Sequence, residues 1–153
     1  MAQRAYRGPA DRQPKTISNR TVNGALLPCT GVFVSATQFS QATSASGGRL
    51  ALLANRDFYA SNASFYNTTE PLLTAYASGD TGVAYELEVG QQYLWALAAA
   101  TYTNGQELMM AASGRLAAAT AGNIVVAYYD GATGAKNAGD LGDVTIAPFY
   151  TKA

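Results

Sequence analysis

Ile124-Val125-Val126-Ala127-Tyr128-Tyr129, halted by Asp130-Gly131, is the stretch on which the fold reading turns. It is apolar on both faces and rich in β-branched and aromatic side chains, the pattern of a strand covered from two sides, and Asp-Gly is a turn signal. Downstream, residues 131–140 are small, polar and glycine-rich and read as a surface loop. Residues 144–149 then read as a closing strand, with Val144 and Ile146 on one face and Thr145 and Ala147 on the other. Upstream, Asn104-Gly105 turns into 106–110 and Ser113-Gly114 turns into 115–120.

Further upstream, residues 83–89 alternate. Val83, Tyr85, Leu87 and Val89 are expected on a buried face, with Ala84, Glu86 and Glu88 on the opposite one. After Gly90, Tyr93, Trp95 and Leu97 alternate with Leu94, Ala96 and Ala98, although the alanines leave a helical turn open. Residues 31–35 form the first strand candidate, and 50–54 fit a short strand or a helical turn. The doublets Phe58-Tyr59 and Phe65-Tyr66 either pin a loop onto the core or present an aromatic platform. Eight or nine short strands between turn signals predict an all-β fold, a small β-sandwich or jelly-roll-like domain over residues 31–153.

Residues 1–30 contain Pro9, Pro14 and Pro28 and show no apolar period, so they read as an extended basic N-terminal arm that orders only against a partner. Arg4, Arg7, Arg12, Lys15 and Arg20 against Asp11 give the segment before residue 21 a net charge of +4. From Asp57 onward the balance is −6. This complementarity makes Arg4, Tyr6, Arg7, Arg12, Lys15 and Arg20 the candidate contact residues, reaching from one copy to an acidic neighbour. Deleting residues 1–20 should on this reading leave the domain folded.

The chain has 153 residues, enough for one core, and only 13% of them are charged, so much of the surface is expected to be covered by neighbours. Its net charge of zero argues against nucleic-acid binding. No run approaches the roughly 20 apolar residues of a membrane helix, and no membrane partner is expected. One cysteine, Cys29, rules out an internal disulfide and is expected to be a buried, inert thiol.

The absence of histidine removes Ser-His-Asp and Cys-His catalysis together. Glu86 and Glu88 stand at i, i+2 on a strand but read as ordinary polar-face residues. Asp130, Asp140 and Asp143 match no calcium-loop spacing, and Gly47-Gly48 lacks the Lys-Ser/Thr of a phosphate loop. No enzyme, cofactor or metal site is expected.

Residues 76–149 resemble the head decoration or cement proteins of tailed bacteriophages. The likeness is carried by Gly105-Gln106-Glu107-Leu108, Ala112-Ser113-Gly114-Arg115-Leu116, Ile124-Val125-Val126-Ala127 and Gly142-Asp143-Val144-Thr145-Ile146. The resemblance implies a capsid-decoration subunit, made in the host cytoplasm and bound to the outside of the head, that links neighbouring major capsid proteins and associates with copies of itself as a dimer or trimer. The rival readings are a carbohydrate-binding module, with Tyr59, Tyr66, Trp95 and Tyr102 as stacking residues, and a tail or fibre-tip subunit.

Overall fold

The computed structural model describes residues 5–55 and 71–153, and among these the chain is nearly all strand. In chain order the strands are β1 (Tyr6–Gly8), β2 (Thr16–Val22), β3 (Gly31–Val34), β4 (Gln38–Gln41), β5 (Leu50–Leu53), β6 (Thr81–Glu86), β7 (Gln92–Ala96), β8 (Ala100–Tyr102), β9 (Glu107–Met110), β10 (Leu116–Ala118), β11 (Ile124–Tyr129), β12 (Gly134–Lys136) and β13 (Leu141–Thr151). Single 3₁₀ turns occupy Pro71–Leu73 and Ala112–Gly114. The all-β expectation holds. The strands form two packed layers, a six-stranded sheet in the order β1-β7-β13-β11-β9-β10 and a closed five-stranded barrel, β2-β4-β3-β5-β6. A two-stranded ribbon of β8 and β12 completes the fold, so the segment expected to be only a loop after Tyr129 contains a strand.

The barrel closes because β2 pairs with β6 antiparallel along one edge and with β4 in parallel along the other, through Thr21 opposite Gln38 and Val22 opposite Phe39. Side chains of the barrel strands alternate between two cores, as the period of two requires. Val32, Ala51, Leu53 and Ala84 point into the barrel with Ile17, Val22 and Phe39. Phe33, Leu50, Leu52 and Tyr85 point out of it, against Tyr93, Trp95, Leu108, Met110, Val126, Val144 and Ile146 of the sheet. The second layer of the expected sandwich is therefore a sheet curled shut, with its own interior.

That second interior gives the strand in residues 83–89 two inward faces: Tyr85 and Leu87 pack against the sheet as expected, while Ala84, expected on the polar face, enters the barrel. Ala84 is fully buried, whereas Val89 is 65% exposed. The reason is the narrow bore. A Cβ built on Gly82 would lie 2.8 Å from Val22 Cγ2 and 3.1 Å from Phe39 Cδ2, so this face of β6 needs the smallest residues. Replacing Gly82 with Val is expected to overpack the barrel and cost about 1–3 kcal/mol in equilibrium denaturation; an unchanged midpoint would show that the bore can widen.

The expected division into an arm at residues 1–30 and a domain at 31–153 is corrected by the strand pairing. β1 forms the edge of the six-stranded sheet, with Tyr6 opposite Tyr93, and β2 is a wall of the barrel. Ala5, Ile17, Val22, Leu26 and Cys29 are all buried. The pattern escaped notice because a bulge interrupts β2: Ile17 pairs with Ala84 and Arg20 with Gly82, leaving one extra residue on β2. Ile17 and Val22, five positions apart, would face opposite ways on a regular strand, yet both enter the barrel.

Candidate functional site

The predicted contact residues do not form one projecting strip. Arg4 lies outside the described residues. Tyr6 packs edge-on to Tyr93, with ring centroids 5.4 Å apart, and against Tyr85 at 6.2 Å. Its hydroxyl reaches the carbonyls of Pro9 and Arg12, so it pins the turn that follows β1. Removal from water raises the Tyr6 phenol pKa, and the carboxylates of Asp11 and Glu88 add to that shift. Burial likewise raises that of Tyr93, whose hydroxyl is 2.7 Å from Gln91 Oε1.

Two of the basic side chains, those of Arg7 and Arg20, are engaged within their own chain. Arg7 pairs with Asp143 at 3.3 Å across the outer face of the sheet. Arg20, on the barrel, donates from Nε to the Ser35 carbonyl at 2.7 Å and from its guanidinium to Asn19. The Lys15 carbonyl accepts the Glu86 N–H at 2.8 Å. Part of the +4 and −6 complementarity read from the sequence is thus met inside one subunit, by the exposed Arg7–Asp143 pair, which contributes about 0–1 kcal/mol.

The other candidates are similarly distributed. Glu86 pairs with Arg49. Asp130 accepts from Gln92 and Thr145, both at 3.2 Å, and Asp140 accepts the Asn137 N–H at 2.8 Å. No three metal-ligating side chains converge among the described residues. Trp95 and Tyr102, offered as sugar-stacking residues, are fully buried, and their polar atoms bond to the carbonyls of Gly114 and Ala98. Tyr59, Tyr66 and the two aromatic doublets lie outside the described residues. On the outer face of the sheet, Glu107 accepts from Tyr150 and pairs with Lys152 at 3.3 Å; the tyrosine hydrogen bond leads in holding its carboxyl pKa below the usual range.

Two surface features absent from the sequence reading stand out. Among the described residues, the large hydrophobic side chains that remain exposed, Leu27, Leu73, Val89 and Phe149, fall into two clefts. The first, about 100 Å³, is lined by Leu27, Pro28, Leu72, Leu73 and Leu141, with Arg115 at its wall. The second, about 430 Å³ and open, is lined by Leu50, Leu87, Val89, Pro148 and Phe149.

The second cleft owes its rim to irregular pairing. Between the pairs Val125 opposite Tyr150 and Ala127 opposite Ile146, β13 carries two more residues than β11. The excess pushes Pro148 and Phe149 to the surface, and Phe149 takes a φ of 45°, a conformation costing a bulky residue about 1–3 kcal/mol. No sequence period signals this, because the bulge itself breaks the period.

No protein-family model matches the sequence, and no curated protein does. Among solved structures, the N base of head fiber gp8.5 in bacteriophage phi29 has the same fold. The match has a TM-score of 0.57 at 12% identity and covers 92% of this chain and 100% of that one.

Proposed function

We propose that this chain is a non-enzymatic structural subunit of a tailed-phage virion, seated on the outside of the head as a decoration or cement protein that touches the major capsid protein and neighbouring copies of itself. The observation that carries this reading is the architecture shared, over nearly the whole chain, with the base of a phage head fiber. The chain's chemistry is consistent with it. No histidine is present, charge is sparse, and the exposed groups with most to gain from a partner are aliphatic and aromatic side chains in shallow clefts. Subunits repeated over a lattice need only modest individual contacts, because attachment at several points multiplies affinity.

The test is co-sedimentation with undecorated heads, followed by imaging of the decorated particles. Saturable binding to the outer surface is expected, and it should persist as salt rises, because Arg7 and Arg20 are already engaged with acceptors in their own chain. Failure to bind any shell would sink the proposal. Binding that collapses with salt would restore the basic residues as the main contact.

A further inference from the structure

The two apolar clefts share no lining residue, and each sits beside a charge of opposite sign. Arg115 lines the first cleft, and among the described residues its guanidinium has neither an ion pair nor a side-chain hydrogen bond. Glu88 stands in the chain between Leu87 and Val89, which line the second cleft. It is exposed, and among the described residues its carboxylate has no ion pair or hydrogen bond. Most other charged groups near these elements are engaged: Glu86 holds Arg49, Asp143 holds Arg7, and Asp140 caps Asn137.

We propose that the Glu88-Val89 turn of one copy docks into the Leu27–Leu73 cleft of a second copy, with Glu88 meeting Arg115. Size supports the match, since about 100 Å³ suits a single aliphatic side chain, and Val89 projects from the turn between β6 and β7 with 65% of its surface exposed. Charge supports it equally, because each side supplies the ion the other lacks. Backbone geometry fixes the receiving side: Cys29 and Ser113, at φ of 62° and 60°, hold the two loops that form its walls. The contact joins different surfaces of the two subunits, so it is heterologous and builds a ring where the rotation closes and a filament where it does not.

Charge exchange tests this directly, by sedimentation velocity on the full chain over a wide concentration range. The unmodified protein is expected to self-associate, and Arg115→Glu or Glu88→Arg alone should weaken that association at least about tenfold by placing like charges together. An equimolar mixture of the two variants should regain it, because every contact then pairs opposite charges. A protein that stays monomeric throughout, or single variants that associate as well as the parent, would overturn the proposal. So would a mixture that shows no recovery while both variants melt like the parent. If Arg115→Glu fails to fold, the exposed Leu73→Ser and Val89→Ser provide the same reading: each should weaken association, and unchanged association would refute the docking. Since the measurement uses no shells, its outcome is separate from that of head binding.

Discussion

Deleting residues 1–20 is expected to abolish cooperative folding. The deletion removes β1 from the edge of the six-stranded sheet and most of β2 from the barrel wall, so the barrel can no longer close. It takes Ala5 and Ile17 out of buried positions and strips Val22 of the strand that holds it. Each large aliphatic side chain contributes about 1.5–3 kcal/mol when fully buried. The ladders to β6 and β7 contribute further, at about 1 kcal/mol net per hydrogen bond. Against a domain stability of about 5–15 kcal/mol, the combined loss leaves little to hold the native state. Thermal unfolding followed by circular dichroism decides the matter. A sharp transition in the truncated chain would restore the detachable arm.

The second large effect is expected at Trp95. The indole is fully buried in the interface between sheet and barrel. Its N–H donates to the Gly114 carbonyl at 2.8 Å, and its Cζ2 lies so close to Gly31 that a Cβ there would sit only 3.1 Å away. The contacts of one side chain thus join β7, the start of β3 and the 3₁₀ turn at Ala112–Gly114. That turn is itself tied to the barrel by the Gly114 N–H bonding to the Ala42 carbonyl at 2.8 Å. Trp95→Ala should cost about 3–5 kcal/mol, since the cavity it leaves is walled by strands on both sides and collapses poorly. Trp95→Phe should cost less, mainly by leaving the Gly114 carbonyl without its donor. Urea denaturation with a common slope measures both, and a loss under about 1 kcal/mol for the alanine variant would show that the two layers are held together elsewhere.

The exposed rim of the second cleft has its own energetics. Phe149 keeps a left-handed backbone and Val89 stays largely exposed. Both features cost the isolated subunit something that a partner can offset by covering them. Within the irregular stretch of β13 beside Phe149, Pro148 has no N–H to offer an added strand. Side-chain insertion therefore suits this rim better than strand addition.

Residue types by themselves determined the β class and several strand positions. Residues 31–34 and 124–129 are strands where composition and turn signals put them, because β-branched runs bounded by glycine have few other stable options, while 50–53, which its leucines and alanine left open between strand and helical turn, is a strand. Cys29 is buried as expected. Tertiary structure decided which face of each strand is inside. The bulge in β2 and the excess residues in β13 each shift the alternation of side chains, and both arise from pairing with strands distant in sequence. The barrel adds a second interior, so that β6 buries Ala84 on one side and packs Tyr85 on the other. Two of the basic residues that looked like a projecting clamp proved bound to acceptors dozens of positions away or across a loop, Arg7 to Asp143 and Arg20 to Ser35. The two clefts were illegible for the same reason. Leu27, Leu73 and Arg115 meet only when the chain closes, and local propensity carries no information about contacts that depend on closure.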